Sequence, residues 1–127
     1  MIQLFSNNQI RTSLFINPNE KHVKGAKEIG SDRIELYTES YASSNVLSFE
    51  KAIEPFVKAA NKANELGIEI NAGHDLNLGN LSHLKECGVI DEVSIGHAIM
   101  TDALKFGFRN TIIKYLELIR NDWVLVT

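Results

Sequence analysis

The chain has 127 residues, 44% hydrophobic and 23% charged, with a formal net charge of -3, a composition expected of one soluble globular domain without a linker. Its single cysteine, Cys87, excludes an internal disulfide and a multi-cysteine zinc site and fits a reducing, cytoplasmic setting, while the absence of a basic stripe argues against a nucleic-acid partner. No apolar run approaches the ~20 residues of a membrane helix, and Met1 to Asn8 lacks the basic start and apolar core of a secretory signal.

Taken in order, Thr12 to Ile16 is β-rich and stops at the turn residues Asn17-Pro18-Asn19. Asn19 is placed to cap a helix from Glu20 to Ile29, with Val23, Ala26 and Ile29 on its apolar face and Gly30 as its stop. Arg33 to Tyr37 is a second strand, followed by a polar loop from Thr38 to Leu47. Ser48 then caps a long helix reaching Leu66, whose Phe49, Ile53, Phe56, Val57, Ala60 and Ala63 share one face; Pro55 is expected to kink or divide it. Residues 67–72 form a third strand, Asn80 to Cys87 a short helix, and residues 92–95 a fourth strand. A short helical piece follows, then a break at Phe106-Gly107 and a last helix with Phe108, Ile112, Tyr115, Leu116 and Ile119 as its buried stripe. Nothing in Asp122 to Thr127 suggests an element.

Strand and helix alternate four times, which means a parallel sheet with right-handed crossovers. Along the strands, Leu14 and Ile16, Ile34 and Leu36, Ile68 and Ile70, and Val93 and Ile95 would face helices. Ser13, Phe15, Glu35, Tyr37, Glu69, Asn71 and Ser94 would face the other way. A doubly wound sheet wants both faces apolar; one apolar and one polar face suit a barrel wall. Four βα units are half of a (β/α)8 TIM barrel, whose usual length is ~250 residues. Residues 1–127 are therefore expected to be a single partial domain, half a barrel, needing a partner to close.

In such folds the chemistry lies at the C-terminal ends of the strands. Those ends present Asn17, Tyr37 with Thr38, Gly73-His74-Asp75 and Gly96-His97, with Glu35 further down its strand. Two histidines and a sheltered carboxylate suit general acid–base work, and Gly96 before a helix offers N–H groups to a phosphate. The blander readings are structural histidines at strand ends, solvated His22 and His83, and Glu69 as an ion-pair partner. A metal site from Glu35, His74 and His97 is the weaker alternative to acid–base chemistry.

Ser13-Leu14-Phe15-Ile16-Asn17-Pro18, Ile34-Glu35-Leu36-Tyr37-Thr38 with Tyr41-Ala42, Ile70-Asn71-Ala72-Gly73-His74 and Ile95-Gly96-His97-Ala98-Ile99 follow one another in a pattern that resembles the C-terminal half of the pyridoxine 5'-phosphate synthase family of vitamin B6 biosynthesis. The resemblance runs over about residues 1 to 120. It implies a (β/α)8 barrel that condenses 1-deoxy-D-xylulose 5-phosphate with 3-amino-2-oxopropyl phosphate to pyridoxine 5'-phosphate and phosphate, with no metal or organic cofactor. It also implies His74 as proton donor, Glu35 as the carboxylate that stabilises the transition state, and Gly96, His97 and position 75 as phosphate contacts. Three positions depart from the family: Asp75 and Glu39 stand where it commonly has Gly, and Tyr37 where it commonly has His. The family's first four strands, with its general-base His, a second Glu and phosphate-binding Arg residues, have no counterpart, so the chain alone is expected to be inactive. The expected partners are phosphorylated small molecules and either a second copy or the missing N-terminal half; the alternative is a non-catalytic, self-associating half-barrel that binds a phosphometabolite.

Overall fold

Parallel strands standing side by side in sequence order set the frame of the molecule. The computed structural model describes residues 1–43, 49–85, 88, 90–119 and 124–126. Its sheet runs β1 (Ser13–Ile16), β2 (Arg33–Tyr37), β3 (Glu69–Gly73), β4 (Glu92–Ser94) and β5 (Val124–Val126), each parallel to the next. Helices α1 (Ile2–Asn7), α2 (Glu20–Glu28), α3 (Glu39–Ala42), α4 (Phe49–Leu66), α5 (Leu81–Lys85), α6 (His97–Phe106) and α7 (Phe108–Ile119) precede or connect the strands. The first four strands and their helices are half of a (β/α)8 barrel.

Register sorts the side chains by chemistry. Leu14, Ile34 and Ile70 form one row across the sheet, and Ile16, Leu36, Ala72 and Val93 the next. These rows face the helices. Ile34, Leu36, Ile70 and Val93 are buried against Val23 and Ala26 of α2, Phe56, Ala59, Ala60 and Ala63 of α4, Leu81 and Leu84 of α5, and Tyr115 and Ile119 of α7. Burying each large side chain contributes about 1.5–3 kcal/mol. The alternate rows, Phe15-Glu35-Asn71-Glu92 and Tyr37-Gly73-Ser94, line the concave side. Phe15 there is 57% exposed.

Local chemistry explains the helix ends. Asn19 accepts a hydrogen bond from the Lys21 N–H at 2.8 Å, capping α2, an arrangement worth about 1 kcal/mol. Ile29, expected on the buried face, is exposed instead: it is the C-cap, and the chain turns away at Gly30 with φ +82°. Pro55 neither divides nor ends α4, which runs through it. The carbonyl it deprives of a donor is that of Lys51, and both residues lie on the exposed side, where the loss costs least.

Other expectations shift in the same way. The loop after β2 contains the single-turn helix α3. In α7 the buried stripe is Thr111, Tyr115 and Ile119, with Phe108 and Leu116 exposed; α7 packs through its Tyr115 side on α5 and α6 rather than into a full ring of helices. His83 is half-buried, with its ring 4.9 Å from that of Phe49. The tail contributes β5, parallel to β4. Ser48 and Cys87 lie outside the described residues. Among the described residues no helix is long and apolar enough to cross a membrane.

Candidate active site

The C-terminal ends of β2, β3 and β4 open into a cavity of about 780 Å³. Glu35, His74, Asp75, Gly96 and His97 all line it, so the five positions singled out in the sequence meet at one place. Asn17 and Tyr37 do not line it. Tyr37 instead packs its ring 4.8 Å from His74 and 5.1 Å, edge-on, from Phe15.

Glu35 sits one layer below the rim. Strand pairing sets it opposite Asn71, whose Nδ2 donates to Glu35 Oε2 at 2.9 Å and to Ser94 Oγ at 2.8 Å. Gly73 makes room for the carboxylate: a Cβ there would lie 2.5 Å from Glu35 Oε1. Burial pushes the Glu35 carboxyl above its ordinary range, and neighbouring Glu92 adds to this. The Arg33 guanidinium, the Asn71 hydrogen bond and His74 oppose the rise. Below, Arg33 pairs with Glu92 at 2.9 Å on the concave side. Two buried atoms here have no partner among the described residues, Asn71 Oδ1 and Arg33 Nε.

His74 and Asp75 form the rim. Both have positive φ, 102° and 57°. The first is costly for a residue with a Cβ, of order 1–3 kcal/mol. The second falls in the left-handed well that Asp tolerates better than most residues. Asp75, which stands where the resemblance expects Gly, thus keeps a glycine-like backbone. Its carboxylate is exposed and lies 3.8 Å from His74 Nε2, an ion pair when His74 is protonated.

Gly96 is the N-cap of α6 and supplies no side-chain cap. The first N–H groups of a ten-residue helix therefore face the cavity mouth beside His97. Thr101 Oγ donates back to the His97 carbonyl at 2.7 Å. Asp102, also in the lining, accepts at 2.8 Å from Tyr115 Oη; burial and this carboxylate push the Tyr115 hydroxyl far above its ordinary range, so it stays a donor.

Two supports were not singled out in the sequence. Asn80 reaches back from the start of α5 to the Asp75 carbonyl at 3.1 Å, and Asp102 is anchored by Tyr115. The Asn77-Leu78-Gly79-Asn80 turn carries a faint signal for the first, since Asn side chains favour local backbone bonds. The second joins two helices and leaves no local trace. Among the described residues no three His, Cys, Asp or Glu side chains gather closely enough to hold a metal ion.

The model of the family described as "Pyridoxal phosphate biosynthesis protein PdxJ" matches residues 1–121. The pyridoxine 5'-phosphate synthase of Christiangramia forsetii is 49% identical over 121 residues, covering 94% of this chain and 51% of that protein. That of Flavobacterium johnsoniae is 50% identical over 119 residues, covering 92% and 50%, and that of Cytophaga hutchinsonii 49% over 118 residues, covering 92% and 50%. The chain spans about half the length of these curated relatives.

Proposed function

The chain belongs to the PdxJ family of pyridoxal phosphate biosynthesis proteins, and on that premise we propose that it supplies the C-terminal half of a pyridoxine 5'-phosphate synthase barrel. The reaction is condensation of 1-deoxy-D-xylulose 5-phosphate with 3-amino-2-oxopropyl phosphate, yielding pyridoxine 5'-phosphate and phosphate. The observation that carries the reading is the convergence of Glu35, His74, Gly96 and His97 on one cavity at the strand ends, in a chain that matches the family model along most of its length.

Each group has a task. His74, half-exposed at the rim, donates a proton to the leaving hydroxyl in a dehydration step. Glu35, anchored by Asn71, stabilises positive charge that develops as the amine and carbonyl condense. The free N–H groups at the start of α6, with His97, bind the phosphate of the aminoketone phosphate. The Asp75 backbone lies beside the same phosphate, while its carboxylate turns to His74.

The described lining contains Glu35, Asp75 and Asp102 but no Lys or Arg. Two phosphate dianions need counter-charge, and the resemblance implies that these cations and the general base come from an N-terminal half-barrel. That half would pair at the free edge of β1 and take the edge of β4 that β5 now occupies. The test is an assay of the chain alone and mixed with its N-terminal half. Turnover should appear only in the mixture and fall about 100- to 10,000-fold with His74→Asn; turnover by the chain alone would defeat the proposal.

A second reading, a non-catalytic half-barrel that pairs with its own copy, draws on the open β1 edge and the exposed Phe15, Leu104, Phe108 and Leu116. The mass of the chain in solution separates the two: a monomer that assembles only with the N-terminal half supports the first.

A further inference from the structure

The rim that carries His74 is held by residues outside the cavity lining. We propose that Thr38, Tyr41 and Asn80 act together as positioning residues, clamping the left-handed His74–Asp75 segment so that the imidazole is aimed into the cavity. The importance of that aim rests on the reading of His74 as proton donor; the clamp itself is tested without it.

Three successive carbonyls are taken up in order. The Thr38 N–H donates to Gly73 O at 3.0 Å, Thr38 Oγ1 donates to His74 O at 2.5 Å, and Asn80 Nδ2 donates to Asp75 O at 3.1 Å. Asn80 is itself fixed twice: its carbonyl accepts from Tyr41 Oη, and its Oδ1 accepts from the Asn77 N–H at 2.8 Å. Thr38, Tyr41 and Asn80 are almost fully buried, so the donor side chains are held by their surroundings. Unfavourable backbone angles persist only where surroundings over-determine them. Here every carbonyl from Gly73 to Asp75 is tied toward the protein, which leaves the His74 ring on the cavity side against Tyr37.

The sequence logic is compact. Thr38 and Tyr41 lie one helical turn apart at the corner between β2 and α3, and that corner grips the loop between β3 and α5. Thr38 reaches the loop directly and Tyr41 reaches it through Asn80. Loss of the Thr38 hydroxyl would leave the His74 carbonyl without this donor, and the peptide would be free to rotate toward another.

The test uses the isotope-labelled chain and the ring-proton resonances of His74, displaced by the ring current of Tyr37, with Tyr37→Leu giving the undisplaced value. His83, whose ring lies 4.9 Å from Phe49, reports on the fold as a whole. Thr38→Val keeps shape and removes the donor; Asn80→Asp keeps the acceptor for Asn77 and removes the donor to Asp75. Both should bring the His74 resonances to the Tyr37→Leu value with His83 unmoved, and Thr38→Ser should restore them. If His83 shows that Thr38→Val is unfolded, Asn80→Asp decides alone. His74 resonances unmoved in a folded Thr38→Val or Asn80→Asp chain would overturn the clamp. If they move while turnover of the mixed halves stays at the parent level, the clamp stands and the proton-donor reading of His74 falls.

Discussion

The two ends of the sheet spend their polar groups differently. At the N-terminal end several charged side chains are tied to the backbone, to a hydroxyl or to one another. Asp32 accepts from the Thr12 N–H at 2.7 Å and the Thr12 hydroxyl at 2.9 Å, and Asp91 accepts from the Ile70 N–H at 3.0 Å. Arg11 pairs with Glu69, and Lys27 donates to the Gly67 carbonyl at 3.3 Å. At the C-terminal end the backbone is strained at His74 and, among the described residues, the α6 N-terminus has no side-chain cap and Asn71 Oδ1 has no partner. One end uses its hydrogen bonds to join strand starts; the other ties down the turn bearing His74 and, on the proposed reading, leaves the start of α6 to a ligand.

Two carboxylates make the contrast measurable. The Thr12 N–H and hydroxyl hold Asp32 below its ordinary range, whereas burial holds Glu35 above its own.

The largest predicted effect lies between the two ends. Arg33→Met removes the partner of a largely buried Glu92, and should destabilise the fold by about 3 kcal/mol in denaturant titration. Because Arg33 also lowers the Glu35 carboxyl, the same variant should raise the Glu35 titration midpoint in carboxyl NMR. Equal stability in parent and variant would show that water already compensates Glu92.

Gly73→Ala tests the site end. The new Cβ collides with Glu35 Oε1, the tip of a flexible side chain, and lies 3.2 Å from Ser94 Cβ, so Glu35 moves away, Ser94 gives slightly and the fold stays. Turnover of the mixed halves should fall about 100-fold, as for a catalytic group misplaced by about 1 Å, with little change in stability. The reverse pattern, lost stability with retained turnover, would assign Gly73 to packing alone.

The smallest effect is in pH dependence, and its sign differs between the ends. Folded Glu35 holds its proton at higher pH than the unfolded chain does, so it favours folding at low pH. That contribution fades as pH rises from the ordinary value of 4.5 through the raised one. Folded Asp32 releases its proton more readily, so its contribution is full above the ordinary value of 3.8 and is lost as pH falls through the lowered one. Glu35→Gln should flatten the first slope and Asp32→Asn the second; equal slopes in parent and variants would erase the distinction.

Much of this was legible from local pattern. The alternation of Ile34 and Leu36 with Glu35 and Tyr37 is a property of one strand, and the capping of α2 by Asn19 needs only two further residues. The positions of His74 and Gly96-His97 beyond strand ends follow from element order. Features that depend on distant neighbours were not legible. Ile29 and Leu116 are as apolar as their buried neighbours, and only packing leaves them exposed. Pro55 is tolerated because it faces outward, which its own sequence context does not reveal.

By itself, then, the sequence determined the order of strands and helices, the apolar and polar faces of the sheet, and the residues available at its C-terminal end. All three follow from the periods of the chain, two residues in a strand and 3.6 in a helix. The tertiary structure alone decided that Glu35 meets Asn71 across the seam between β2 and β3, that Asn80 and Thr38 grip the turn bearing His74, and that the tail adds β5 beside β4. Those facts depend on register and on loops returning from far along the chain, where no local period reaches.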